Sequence, residues 1–233
     1  DWRRREGDVV KTTATLLEDR VEGSFKELRM PLSSGRRATS PPCRIETKFR
    51  MLIRQRGEFK GLKVTNEDPA VVNCYTDGSK DEIGRTGAAF ISKCLDSSCR
   101  VKGFFPLGPT TSVYQAEATA ICQAAWVMLK NGTSGKTVNF YVDNQGVIQA
   151  VSKLEIKDKL IIETKKVLNE LSVNNSVVLN WIPGHEGYRG NEIADRLAKR
   201  ATRMPWIGCL PSMPVNSDQG RNACREKLSQ QQV

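Results

Sequence analysis

The sequence predicts a mixed α/β domain: a five-stranded sheet, three antiparallel strands then parallel ones, flanked by helices. Three observations carry this. Short segments alternating apolar with polar residues, such as 71–77 and 137–142, read as strands. Longer segments with apolar residues three and four apart, above all 113–130, read as helices. The order βββαβααβα gives a meander from its three opening strands and parallel pairing from its later β–α–β steps.

Each element has its own signal. Val72, Cys74 and Thr76 alternate with Asn73, Tyr75 and Asp77 in the first strand. The next strands, 87–91 and 100–105, are set off by Gly84 and the Asp96-Ser97-Ser98 cluster, both turn formers. Helix 113–130 has Val113, Ala116, Ala120, Ile121, Ala124, Val127 and Met128 on one stripe, and Asn131-Gly132 closes it. Strand 137–142 puts Val138, Phe140 and Val142 on one face and Asn139 and Tyr141 on the other, leading into Asp143. A short helix over 146–151 and a longer one over 160–171 precede strand 177–182, which Pro183-Gly184 ends. The last helix spans 191–202, with Asn191 as its N-cap.

This core, 71–204, is flanked on both sides. Residues 1–70 form an extension with no assigned role. Within it, 8–30 has a helical stripe, 31–44 with Pro41-Pro42 reads as a linker, and 45–68 is basic and poorly patterned, the plainest reading being cover for a neighbouring domain. Residues 205–233 form a proline-containing tail in which 223–229 is a short helix.

Composition narrows the function. The 233 residues carry a net charge of +10, which fits a polyanionic partner, nucleic acid first. No apolar run approaches the roughly 18 residues of a membrane-spanning helix. The seven cysteines contain no Cys-x-x-Cys, and with one histidine they exclude a zinc finger. Cys74 and Cys122 lie on apolar patterns and read as small core residues; a reducing, intracellular compartment is expected.

Four acids stand out. Asp77 and Asp143 are expected at the C-terminal ends of strands, where ligands gather in open α/β sheets. Glu117 and Asp195 are expected in the first turns of helices, Glu117 on the face turned toward the sheet. A carboxylate turned inward needs a partner, and a metal ion is a good one. Any one of them alone would be an ordinary cap or turn residue; four at once at strand ends and helix starts are not. His185, the only histidine, follows a Pro-Gly turn in a glycine-rich loop ten residues before Asp195. Gly78 lets an anionic backbone approach. Carboxylates and a loop histidine on a basic protein point to phosphodiester chemistry with divalent metal.

The segments Thr76-Asp77-Gly78-Ser79-Lys80, Gln115-Ala116-Glu117, Val142-Asp143-Asn144-Gln145 and the Gly-His-Glu-Gly-x-x-Gly-Asn-Glu-x-Ala-Asp run from Gly184 to Asp195 resemble type 1 ribonuclease H. More narrowly, Phe105-Pro106-Leu107-Gly108, Tyr114-Gln115-Ala116-Glu117 and Trp181-Ile182-Pro183-Gly184-His185 resemble the version found in non-LTR (LINE-like) retrotransposon polyproteins. The resemblance covers about 71–204. It implies a ribonuclease H-like fold and hydrolysis of the RNA strand of an RNA–DNA hybrid, with two Mg²⁺ ions, or Mn²⁺ in their place, held by Asp77, Glu117, Asp143 and Asp195. It gives His185 a part in proton transfer or product release. Gly78, Ser79, Asn144 and Gln145 are the expected substrate contacts, Gln145 in the minor groove. It also implies a tether to a reverse transcriptase domain. Val113 and Tyr114 stand where bacterial members have asparagines, and Asn144 where serine is usual. The rivals are a catalytically decayed nucleic-acid-binding remnant of a retroelement, a strand-transfer enzyme on the same fold, and a structural extension of a polymerase.

Overall fold

The computed structural model describes residues 39–54, 68–93, 101–109, 111–184 and 186–205. The helix expected over 8–30, the turn at 96–98, the tail helix at 223–229 and His185 lie outside the described residues.

The described strands and helices are β1 (Thr39–Arg44), β2 (Arg50–Leu52), β3 (Val71–Lys80), β4 (Thr86–Lys93), β5 (Val101–Gly108), α1 (Val113–Lys130), β6 (Thr137–Val142), α2 (Gln145–Ser152), β7 (Glu155–Asp158), α3 (Lys159–Leu171), β8 (Ser176–Trp181) and α4 (Arg189–Thr202). The main sheet runs β2-β8-β6-β3-β4-β5. The β3–β4 and β4–β5 pairs are antiparallel; β3–β6, β6–β8 and β8–β2 are parallel. This is the predicted mixed sheet, with a sixth strand added at the β8 edge.

The alternation read from the sequence sorts the two faces. Val72, Cys74, Val138, Phe140, Val142, Val177 and Leu179 bury one face of the sheet under Ile121, Ala124 and Met128 of α1 and Ile161 and Leu168 of α3. On the other face Tyr75 and Tyr141 stack at 4.7 Å and pack with Ala194 of α4. Cys74 and Cys122 are buried free thiols, as expected. No helix among the described residues is long and apolar enough to cross a membrane.

Two strands come from the segment before Val71. β1, expected as linker, pairs antiparallel with β7, setting Cys43 opposite Ile156 and Arg44 opposite Glu155. Pro41 and Pro42 fit there because a two-stranded ribbon leaves one edge of β1 free of ladder bonds. The chain then passes α3, where the side chain of Asn169 accepts from Lys48 N (2.9 Å) and donates to Glu46 O (2.7 Å). Phe49, 5% exposed, enters the core beside α3, and β2 follows on the edge of the sheet.

Candidate active site

Each carboxylate is placed by a different part of the fold. Asp77 does not end its strand, as expected, but is the seventh of ten residues in β3. Pairing with β6 stops at Tyr75↔Tyr141, whereas pairing with β4 continues to Lys80↔Thr86, so β3 runs on past the point where the parallel ladder opens. Asp143 directly follows β6 in that opening. Its carbonyl accepts from Trp181 Nε1 at 3.0 Å, and Ile182 N donates to Val142 O at 3.0 Å, which fixes the backbone on both sides of the strand end.

Glu117 is held by the start of α1. Ser112 and Gln115 form a reciprocal capping box, with Gln115 N donating to Ser112 Oγ (3.2 Å) and Ser112 N to Gln115 Oε1 (2.9 Å). The box fixes Val113 as the first helical residue, so Glu117 is the fifth and stands in the second turn rather than the first. The Ser-x-x-Gln spacing was the available sequence signal for this cap. α1 sits unusually close to β3 because Gly78 has no side chain. A Cβ there would lie 2.7 Å from Glu117 N and 2.9 Å from Ala116 Cβ. Gly78 thus serves helix–strand contact, and it also lines the cavity that holds the carboxylates. Glu117 points at the sheet as expected and is only 3% exposed.

Asp195 is carried by α4, which begins at Arg189 with Tyr188 as N-cap. Asp195 is therefore the seventh helical residue, again a turn later than expected. Asn191 is not the N-cap but a buried first-turn residue. The cause is Gly190: a Cβ there would run into the ring of Tyr75, so its absence lets the first turn of α4 lie directly on β3.

One ligand oxygen from each of Asp77, Glu117 and Asp143 lies within 4.8 Å of the others, a spacing able to hold a metal ion. They line a cavity of about 750 Å³ together with Ser79, Lys80, Asn144, Gln145, Asn191, Asp195 and Lys199. Asp195 is on the cavity wall but outside the three-acid group, its Oδ2 paired with Lys199 Nζ at 2.8 Å. Burial, then the charges of Asp143 and Asp195, push the Asp77 carboxyl up to about 8 against the pull of the Gly78 N–H and Lys199. Burial, then Asp143 and Asp77, raise Glu117 well above the usual carboxylate range, and its Oε2 is buried without a hydrogen-bond partner. Asp77 and Glu117 are buried and Asp143 is half-buried, and carboxylates this close suit a shared cation.

Of the expected substrate contacts, Ser79 and Gln145 face the cavity. Asn144 lines it too, but its Oδ1 accepts from Val147 N at 3.3 Å and caps α2, so that oxygen is committed to the helix.

Acids gathered where the parallel ladder between β3 and β6 opens, on a basic chain, suit phosphodiester chemistry with bound metal. The RNase H family model matches residues 69–203, and the chain belongs to that family; it is a ribonuclease of the RNA–DNA hybrid class. Ribonuclease H of Nitrosomonas eutropha is 28% identical over 144 residues, 55% of this chain and 88% of the relative. Ribonuclease H of Cupriavidus necator is 28% identical over 142 residues, 55% and 93% of the two chains. Among solved structures, RNase H1 of Halobacterium salinarum is 21% identical, covering 56% of this chain and 96% of its own, with a TM-score of 0.44. The N-terminal RNase H domain of rv2228c from Mycobacterium tuberculosis is 16% identical, covering 66% and 99%, with a TM-score of 0.45.

Proposed function

We propose that this chain cuts the RNA strand of RNA–DNA hybrids internally, using two Mg²⁺ ions held by Asp77, Glu117, Asp143 and Asp195, as part of a retroelement reverse transcriptase. The observation that carries the reading is the group of three carboxylates within 4.8 Å, one of whose buried oxygens has no partner. Those residues fit the ions, since hard divalent cations take carboxylate oxygens and repay the burial of these acids. Bound there, the ions would polarise a phosphoryl oxygen and lower the pKa of the attacking water.

The protein supplies the rest. The ladder opening between β3 and β6 holds Asp77 and Asp143 toward the phosphate, and the α1 cap holds Glu117 against them. Lys199 and Lys80, on the same wall, offer positive charge to the flanking backbone. Ser79 and Gln145, which line the cavity, would meet sugar or base edges, and a contact that donates or accepts at the 2′-hydroxyl selects RNA in one strand. His185, which precedes α4 in the sequence, would move a proton or help release product, as the family resemblance implies. The retroelement setting rests on the Phe105–Gly108, Tyr114–Glu117 and Trp181–His185 segments. In it, a tether to the polymerase would raise the effective concentration of hybrid.

The test presents the full chain with one labelled RNA in three forms, single-stranded, paired to RNA and paired to DNA, each with Mg²⁺ and with chelator. Internal cuts in the hybrid alone, with Mg²⁺ alone, are expected. Hybrid binding without cuts would favour the decayed remnant.

A further inference from the structure

Asn191 is 6% exposed, lines the cavity that holds the carboxylates, and has its amide oxygen Oδ1 buried without a hydrogen-bond partner. A buried acceptor left without a donor costs stability, so proteins rarely keep one unused. The helix does not use it, because Tyr188 is the N-cap and makes no side-chain cap bond. Its position is set by packing, since the neighbouring Gly190 seats the first turn of α4 against the ring of Tyr75.

Asn191, Asp195 and Lys199 are spaced four residues apart and so form one stripe along α4, about 6 Å per step. All three reach the cavity wall. The next group on that stripe, Asp195, already holds the ammonium of Lys199. The same cavity is lined by Asp77, Glu117 and Asp143, which accept and do not donate once ionised. The donor that suits a lone oxygen facing carboxylates is water on a divalent cation. Mg²⁺ sheds its water reluctantly and keeps several molecules, each with protons to place.

We infer that Asn191 Oδ1 accepts a hydrogen bond from hydration water of the cation held by Asp77, Glu117 and Asp143, and so positions that cation from the α4 side. This deepens the metal-centre reading and rests on it.

The experiment measures Mg²⁺ affinity by calorimetric titration and the metal-free melting temperature, on the full chain without nucleic acid. It compares wild type, Asn191→Ala, Asn191→Asp and Asp143→Asn. Asn191→Ala is expected to weaken Mg²⁺ binding about 10-fold or more, the scale of losing an outer partner of a metal site. Its metal-free melting temperature should not fall, because the oxygen has no partner to lose. Asn191→Asp keeps an acceptor and should bind Mg²⁺ at least as tightly as wild type. Unchanged Mg²⁺ affinity in Asn191→Ala overturns the inference: with cleavage lost, the oxygen serves the substrate; with melting lowered, it serves the fold. Wild-type Mg²⁺ binding that is absent, or that Asp143→Asn leaves intact, would overturn the metal-centre reading itself and this inference with it.

Discussion

On the α1 side of the cavity, Glu117 is 3% exposed, has an unpartnered oxygen and faces two further acids. On the α4 side, the Asp195 side chain is 24% exposed and already carries Lys199 at 2.8 Å. The residue chemistry is the same and the electrostatic state is opposite. Burial makes the difference. α1 is pressed onto β3 through Gly78, which squeezes water from Glu117, whereas the second turn of α4 stays open enough for a flexible lysine to neutralise Asp195. One wall groups three carboxylates and the other pairs its carboxylate with a lysine.

Substitutions should follow that division. Asp143→Asn removes a charged ligand from the dry wall at almost constant volume. It should lower hybrid cleavage by about 10³-fold or more, in keeping with the several kcal/mol a metal contributes to transition-state charge, with little change in melting temperature. His185→Ala, in the loop that leads into α4, should slow turnover by about 10²-fold without ending it, the scale of auxiliary proton transfer. Loss of Mg²⁺ binding in that variant would move His185 to the metal side. Asp195→Asn should cost roughly 10- to 100-fold, less than Asp143→Asn, because its carboxylate stands outside the three-acid group. Equal losses in the two variants would erase the contrast between the walls. Gly78→Ala should destabilise the fold by about 1–3 kcal/mol, measurable in urea, because its Cβ meets α1 backbone and has nowhere to go.

A different effect concerns pH. With its carboxyl raised to about 8, Asp77 holds a proton in the metal-free folded protein that the unfolded chain gives up near the ordinary carboxylate range. The stability linked to that proton is complete at acid pH and is lost as pH rises through about 8. The metal-free melting temperature should therefore fall from about pH 5 to pH 8. Mg²⁺ requires the ionised ligand, so it should stabilise more at about pH 8 than at about pH 6. A flat metal-free profile would mean that the α1 wall is wetter than its burial indicates.

Much of this was legible in the residues. Alternation in 71–77 and 137–142 set Asp77 and Asp143 at two strands, whose pairing only the structure supplies, and the stripe of α1 turned Glu117 inward. What escaped depended on distant partners. β1 pairs with only three residues of β7, and Pro41-Pro42 hides it from any propensity argument. β2 is three residues long and exists because β8 offers an edge. Gly78 reads from the sequence as room for substrate; that its missing side chain also admits α1, fixed by a capping box some 34 residues on, is not legible there. Asn191 looked like a cap because asparagine favours that position, and only the contact of Gly190 with Tyr75 shows that the helix starts earlier.

If the three-acid group is the metal centre of a hybrid ribonuclease, cleavage depends on both Mg²⁺ and Asp143. The most direct measurement follows a 5′-labelled RNA annealed to DNA under wild type and Asp143→Asn, with Mg²⁺ titrated from zero. The account predicts internal cuts that rise with Mg²⁺ in wild type and vanish in Asp143→Asn. Cleavage that persists in chelator, or that Asp143→Asn matches at saturating Mg²⁺, would contradict it.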